Sequence, residues 1–212
     1  MVRVGDCISV PFKITSGVPQ GSLLGPLLFS IYVADLPTNI DKAVSLYMYA
    51  DDTKICKRIS NDADVKSLQS GLDGIMEWSR LWLLDFNYEK CHYMRFSSKY
   101  SNVSVLPKYF LDSNEIVRVS EEKDLGLIYQ ENLSFDKHIK NKLTMAKNSL
   151  FLIRNTFKTI DIHTSLTLYK SLVRPHLEYC SIIWNKNTFD FSKKLESVQK
   201  SYTKLIYPIS YL

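Results

Sequence analysis

The chain has 212 residues, of which 45% are hydrophobic and 23% charged, the balance of an ordinary folded protein. With only 7 glycines and 7 prolines, a collagen-like or low-complexity protein is excluded. The cysteines, Cys7, Cys56, Cys91 and Cys180, form no CxxC pair, and their spacing to the histidines fits no zinc finger. Sparse cysteines indicate a reducing, intracellular compartment. Neither a signal peptide nor a membrane span is predicted.

The charge is distributed unevenly along the chain, although the net charge is only +5. Residues 1–133 contain 14 basic and 17 acidic residues, whereas residues 134–212 contain 13 basic and 5 acidic residues. The hydrophobic pattern also changes near residue 133, from mixed helices and short strands to helices alone. The sequence therefore predicts an α+β protein with two regions, 1–133 and 134–212. The second region either binds a polyanion or presents a basic, solvated surface.

The first region begins with a predicted hairpin over residues 1–15 that turns at Gly5-Asp6. After the loop SGVPQGS, a helix is predicted from Ser22 to Leu36, and because it is apolar on nearly all sides we expect it to be buried. Residues 44–59 predict a second hairpin, with Ala50-Asp51-Asp52 as its turn.

The remaining elements follow from the periodicity of the apolar residues. Residues 61–84 predict an amphipathic helix, although Gly71 and Gly74 weaken its middle. Short strands are then predicted near residues 93–96, 109–111, 116–119 and 125–129. Helices are predicted over residues 135–157, 163–173, 176–184 and 190–206.

Two adjacent carboxylates, Asp51 and Asp52, are the strongest chemical feature. Carboxylates held together at a hairpin tip repel each other, and a hard divalent cation relieves that repulsion. A pair of such ions can align a hydroxyl and a phosphate for in-line displacement. Two aspartates at a turn also fit ordinary solvated turn formers, so the residues alone leave both interpretations open.

Five blocks of sequence, in order, resemble the reverse transcriptases of non-LTR retrotransposons, especially jockey-like elements. The first two are SGVPQGSLLGPLLFSIYVADLP and YADDTKI. The others are LQSGLDGIMEWSRLWLLDFNYEKCHYMRF, EKDLGLIYQENLSFDKHI, and the helical LYKSLVRPHLEYCSIIWN with LESVQKSYTKLI. The resemblance extends from about Ser9 to Ile206. It implies an RNA-directed DNA polymerase, with a partial right-hand palm in residues 1–133 and an all-α, thumb-like region in residues 134–212.

The resemblance also implies roles for individual residues. Asp51 and Asp52 match the family's metal-site pair, with Asp51 the direct ligand of Mg²⁺ and Asp52 the supporting carboxylate. The loop that helps to place the template and the incoming nucleotide is matched by Gly17, Pro19, Gln20 and Gly21. Lys90 matches a lysine that helps to protonate the pyrophosphate leaving group, and Leu125 and Gly126 match the primer-grip turn. Without the resemblance, Lys90 fits a solvated cation, and Leu125 and Gly126 fit ordinary strand packing.

One departure from the family concerns the metal site. The family brings another aspartate from an upstream segment resembling FDxAFDxV, whereas the sole acid before Ser16 is Asp6, whose neighbours do not match. We therefore expect an N-terminally truncated polymerase that is inactive alone and exposes a sheet edge and one apolar helix face. The alternatives are a nucleic-acid-binding remnant without catalysis and a decayed relic.

The partners implied by the family are an RNA template, a DNA primer and deoxynucleotide triphosphates, with action in the nucleus. Basic residues that recur at helical spacing are candidates for contacts with a phosphate backbone, or form a solvated face. They are Lys137, Lys140, Lys142, Lys147, Arg154 and Lys158.

Overall fold

The computed structural model describes residues 2–13, 17–18, 21–41, 43–96, 107–157, 159–185 and 189–206. These residues form helices and short antiparallel hairpins, which agrees with the predicted α+β class. None of the described helices is both long enough and apolar enough to cross a bilayer. The chain divides into two compact units, Met1–Cys91 with Asn102–Val117, and His92–Ser101 with Arg118–Leu212.

The first unit contains three hairpins and two helices. Its strands are β1 (Arg3–Val4), β2 (Cys7–Ile8), β3 (Ser45–Tyr49), β4 (Asp52–Cys56), β6 (Phe110–Leu111) and β7 (Asn114–Glu115), paired in that order. Its helices are α1 (Gly25–Tyr32) and α2 (Asp62–Trp82), with 3₁₀ turns at Leu36–Asn39 and Tyr88–Lys90. The predicted turn at Gly5-Asp6 is confirmed, but each strand has only two residues, and residues 1, 14 and 15 of the predicted hairpin lie outside the described residues.

The core of the first unit is built by α2 and the segment that connects α1 to β3, and partly buried side chains of α1 and of the inner face of the β3–β4 hairpin pack against it. Its buried residues are Val33, Leu36, Ile40, Val44, Ile75 and Trp78. Trp78 is only 2% exposed, and its indole Nε1 donates a hydrogen bond of 2.8 Å to Asp35 Oδ1. A Cβ atom at Gly71 would lie 3.4 Å from Val44 Cγ2, an ordinary van der Waals contact, so α2 packs closely on Val44 at this point.

Helix α2 confirms the prediction over residues 61–84. Asn61 and Asp64 form a capping box, since the Asn61 side chain accepts from the Asp64 N–H and the Asp64 carboxylate accepts from the Asn61 N–H. Leu83, with a left-handed φ of 55°, ends the helix.

The prediction that the first helix is buried is wrong. The helix is shorter than predicted and exposes Leu27 (57%) and Ile31 (65%), while Val33, directly after it, lies in the core. An apolar helix is buried only where a partner covers each of its sides, and the described residues cover one side. The expected exposure of one apolar helix face is therefore confirmed.

The second unit contains the remaining elements. Its strands are β5 (His92–Tyr93), β9 (Glu121–Asp124) and β10 (Leu127–Gln130), and β8 (Val117–Arg118) spans the boundary between the units. Its helices are α3 (Asp136–Thr156), α4 (Ile162–Leu168), α5 (Arg174–Glu178), α6 (Ser181–Trp184) and α7 (Phe189–Ile206). One π turn, Tyr169–Val173, connects α4 to α5. The predicted boundary near residue 133 concerns polymerase subdomains and stays a prediction.

The predicted helices over residues 135–157 and 190–206 are confirmed as α3 and α7, whereas the structure between them differs from the prediction. Residues 176–184 do not form one helix, because Cys180 adopts a left-handed φ of 53° that separates α5 from α6. The helices pack around a buried cluster of Ala146, Leu150, Ile153, Val173, Val198 and Tyr202.

A second cluster joins the β9–β10 hairpin to the helices through Leu127, Ile139 and Trp184. His138 is fully buried beside it, with its ring centroid 5.7 Å from that of Trp184. The His138 Nδ1 atom accepts a hydrogen bond of 3.2 Å from the Ile128 N–H, so the unprotonated nitrogen connects α3 to β10. Burial, and secondarily the charge of Lys142, lowers the pKa of His138.

This environment predicts a loss of stability in acid. Because the folded-state pKa of His138 lies below its ordinary value of 6.5, the folded protein takes up this proton less readily than the unfolded chain. The contribution of neutral His138 is therefore complete above pH 6.5 and is lost as the pH falls through and below that value. Urea unfolding between pH 5 and 7.5, followed by tryptophan fluorescence, measures this slope.

The matched variant is His138→Asn, whose side-chain oxygen can replace Nδ1 as the acceptor without titrating. We expect the free energy of unfolding of this variant to depend less steeply on pH below 6.5 than that of the native chain. Equal slopes for the two proteins would show that His138 does not couple protonation to folding.

Candidate active site

The β3–β4 hairpin closes in two residues. Tyr49 pairs with Asp52 and Met48 with Thr53, so only Ala50 and Asp51 form the tip, and Ala50 has a left-handed φ of 52°. The predicted three-residue turn is therefore corrected, because Asp52 is already the first residue of β4. Asp51 lies beyond the last strand pair, whereas the ladder fixes the backbone of Asp52.

The two faces of this hairpin have different environments. Leu46 and Ile55 are opposite each other and pack against the core, as does Met48. On the other face, Tyr49 is opposite Asp52 and is 66% exposed. The apolar inner face thus anchors the hairpin to α2 and leaves its outer face, with Asp52, exposed.

The carboxylates of Asp51 and Asp52 are exposed, and neither forms a hydrogen bond or ion pair with any residue that the structure describes. Uncommitted carboxylate oxygens are the ligands that Mg²⁺ prefers, and Mg²⁺ usually takes one or two of them together with substrate phosphates and water. The donor set therefore fits this ion. Within the described part of the chain, no three His, Cys, Asp or Glu residues are grouped so as to hold a metal.

A small groove lies beside the hairpin tip. It has a volume of about 250 Å³. Its lining comes from α1, the residues just after it and the hairpin: Phe29, Ser30, Val33, Ala34, Met48 and Ala50. The sequence did not predict this groove, because the apolar residues of α1 that line it cannot be distinguished by pattern from buried core residues.

The predicted template loop lies directly before α1. Gly17 and Gly21 both have positive φ angles, 80° and 79°, and a Cβ atom on either would meet nothing within 4 Å. Backbone conformation rather than crowding therefore favours glycine at both positions. Ser22 Oγ accepts a hydrogen bond of 3.0 Å from the Gly25 N–H, but the N-cap of α1 is Leu24, so the helix does not begin at Ser22 as predicted. Pro19 and Gln20 lie outside the described residues.

The other two predicted sites lie in a 3₁₀ turn and at the tip of another hairpin. Lys90 is exposed in the 3₁₀ turn Tyr88–Lys90, and no hydrogen bond or ion pair joins it to Asp51 or Asp52 in the described structure. Leu125 and Gly126 form the two-residue tip of the β9–β10 hairpin in the second unit, since Leu127 pairs with Asp124. Both have positive φ angles, 45° and 79°.

The basic residues of α3 fall into two groups. Lys137 pairs with Glu121, and the Nζ atom of Lys142 lies 5.6 Å from the ring centroid of Tyr179. By contrast, Lys140, Lys147 and Arg154 are exposed and have no ion-pair partner among the described residues. These three recur every seven residues, so they lie on one face at steps of about 10.5 Å. Lys158 is outside the described part of the chain.

Comparison with known proteins identifies related sequences. The family model "Reverse transcriptase (RNA-dependent DNA polymerase)" matches residues 3–128, more than half of the chain. The chain is 26% identical to the probable RNA-directed DNA polymerase from transposon X-element of Drosophila melanogaster, over 97% of its own length and 23% of the relative. It is 32% identical to the RNA-directed DNA polymerase from mobile element jockey of the same fly, over 78% of this chain and 19% of that protein.

The corresponding jockey polymerase of Drosophila funebris is 30% identical over 84% of the chain and 20% of its own length. The chain thus spans about a fifth of the length of the curated relatives that it matches. No solved structure matches it. The matched region includes both the β3–β4 hairpin and the turn at Leu125 and Gly126. This chain belongs to the reverse transcriptase (RNA-dependent DNA polymerase) family.

Proposed function

We propose that this chain carries the catalytic hairpin of an RNA-directed DNA polymerase of a non-LTR retrotransposon. The observation on which the proposal depends is the β3–β4 tip, where two adjacent carboxylates lie exposed and uncommitted on an anchored hairpin. The reaction is transfer of a deoxynucleotide to the 3′-hydroxyl of a primer, directed by an RNA template. The family match supports this reaction class.

Asp51 and Asp52 are the residues that would hold the divalent ion. Bound there, Mg²⁺ would neutralise phosphate charge and align the attacking hydroxyl with the reacting phosphate. Asp51 is proposed as the direct ligand because it lies beyond the strand pairs, and Asp52 as the support because its backbone is fixed by Tyr49. We retain Lys90 as a candidate proton donor to the leaving group.

The template and primer contacts are proposed at two glycine-containing turns. Gly17 and Gly21, with Pro19 and Gln20 between them, would contact the template and the incoming nucleotide. Leu125 and Gly126 would contact the end of the primer. Open space where a Cβ atom would lie at Gly17 and Gly21 supports the template assignment, because it leaves their backbone accessible, and the two-residue hairpin tip supports the primer assignment.

We propose that two carboxylates are too few for catalysis by the 212-residue chain alone. A two-metal site needs further oxygen ligands, and the described residues group no third acidic side chain with Asp51 and Asp52. The missing carboxylate would come from another part of the polymerase. Loss of one member of a cooperating catalytic set removes most of its rate advantage.

A second candidate function is nucleic-acid binding without catalysis. The three uncommitted cations of α3 favour it, since they would neutralise phosphates whether or not the hairpin binds metal. Phe151, which is 67% exposed on the same face of α3, adds an aromatic surface on which a base can stack. Nucleic-acid binding is compatible with the polymerase function, and it is the function that remains if the polymerase has no catalytic activity.

Incorporation of labelled deoxynucleotide on a primed RNA template tests the proposed function. The chain alone should show no incorporation, whereas a longer polymerase with an upstream carboxylate segment should be active. In that polymerase, Asp51→Ala should abolish incorporation, and Asp6→Ala, an acid in the β1–β2 turn, should leave it unchanged. Full activity of Asp51→Ala, or of the chain alone, would contradict the proposal.

Salt dependence tests the α3 surface. Each neutralised duplex phosphate contributes about 0.9 to the slope of log affinity against log salt, so Lys140→Ala/Lys147→Ala/Arg154→Ala should lower that slope by about 2 to 3. The matched control replaces three exposed lysines elsewhere in the second unit, Lys170, Lys200 and Lys204. If both triple variants lower the slope equally, the charge is diffuse and α3 is not a specific surface.

A further inference from the structure

The tip of the β9–β10 hairpin has an unusual backbone. Leu125 carries a side chain at a φ of 45°, and Gly126 follows at 79°. A leucine rarely adopts the left-handed region, and such a conformation persists only where surrounding contacts determine it. A two-residue hairpin loop requires positive φ at its central residues, so closure of the hairpin places Leu125 in this strained conformation, and contacts from outside the hairpin can stabilise it.

Tyr179, which follows α5, supplies these contacts. Its hydroxyl donates a hydrogen bond of 2.6 Å to the Leu125 carbonyl oxygen, across 54 residues of sequence. Its ring lies against Gly126, where an added Cβ atom would be only 3.3 Å from Tyr179 Cε1. One side chain thus contacts both residues of the tip, and a side chain at position 126 would adopt a strained φ and require a small shift of the Tyr179 ring.

Tyr179 is itself held in place by contacts with the core of the second unit. Its carbonyl oxygen accepts a hydrogen bond of 2.8 Å from Trp184 Nε1, and Trp184 is 1% exposed in the cluster with Leu127. Its own N–H donates to Pro175 O at 3.0 Å, which closes α5. The charged end of Lys142 lies over the ring. Tyr179 is therefore braced through its backbone and its ring while its hydroxyl reaches the tip.

We propose that Tyr179 is a positioning residue, which sets the orientation of the Leu125–Gly126 tip against the 3′ end of a primer strand. The inference rests on the proposed function, because it takes the tip as the place where the primer ends. Its ligand is the terminal nucleotide of a nucleic-acid strand. Tyr179 acts through the backbone of Leu125 and Gly126, so its loss misplaces the primer end without removing the surface that binds the strand.

The alternative is that Tyr179 only adds stability to the second unit. A stabilising role would lower the free energy of unfolding and weaken every nucleic-acid contact together. A positioning role affects the primer end more than the rest of the strand. The test must therefore compare the end of the strand with its interior in the same protein.

Photo-cross-linking makes this comparison with the 212-residue chain. Primer–template carries 4-thiothymidine either at the primer 3′ end or at an internal position, and mass spectrometry maps the cross-linked residues. Tyr179→Phe retains the ring over Gly126 and removes only the hydroxyl. Tyr169→Phe, which alters another tyrosine of the second unit that stacks on Tyr202, is the matched control. Fluorescence anisotropy measures the affinity of each protein for the same primer–template.

In the native chain, the terminal probe should cross-link to residues 124–127. Tyr179→Phe should reduce that yield about five-fold, the effect of one lost hydrogen bond, with internal cross-linking and affinity changed less than about two-fold. Tyr169→Phe should leave all three measurements unchanged. An undiminished terminal yield in Tyr179→Phe, or equal losses at both positions, would overturn the inference.

The outcome also separates this inference from the proposed function. If the native chain binds primer–template but its terminal probe reacts elsewhere, the tip is not the primer site and the proposed primer contact fails, while the assignment of Asp51 and Asp52 to catalysis stands. If the native chain does not bind primer–template, the proposed function of this unit fails and the positioning role fails with it.

Discussion

Closure of the β3–β4 hairpin in two residues is the constraint on which the candidate active site depends. Because Tyr49 pairs with Asp52, Asp51 lies beyond the ladder while the backbone of Asp52 is held within it. The same register directs Leu46 and Ile55 to the core. A shift of one residue would reverse both faces, exposing the apolar side chains and turning Asp52 toward the core. Packing against α2 therefore maintains the register and, through it, the difference between the two carboxylates.

The second unit repeats this arrangement with a different anchor. The β9–β10 hairpin also closes in two residues, and it is tied to the helices by Leu127 in the core and by His138 through the Ile128 N–H. The ion pair of Lys137 with Glu121 likewise joins β9 to α3. Further along α3, Lys140 and Lys147 remain available to a polyanion. The positive charge of α3 thus has two roles: Lys137 pairs with the β9–β10 hairpin, and the exposed lysines further along the helix can attract a polyanion.

Sequence reasoning predicted the elements with strong periodicity and failed where distant contacts decide. Helices α2 and α3 and the position of Asp51 in a hairpin turn followed from pattern alone. Strand β9 was missed because its sequence, EEKD, has no apolar alternation, and its pairing with β10 defines it. Burial of α1 was predicted wrongly because hydrophobicity does not reveal what covers a helix. The contact of Tyr179 with Leu125 carries no local signal.

The central claim is that the β3–β4 tip binds a divalent ion through Asp51. Electron paramagnetic resonance of Mn²⁺, titrated with a deoxynucleotide triphosphate into this chain, tests it without requiring catalysis. The account predicts bound Mn²⁺ in the native chain, its loss in Asp51→Asn, a smaller loss in Asp52→Asn, and no change in Asp6→Asn. Equal Mn²⁺ binding by the native chain and Asp51→Asn would contradict the assignment of this hairpin as the metal site.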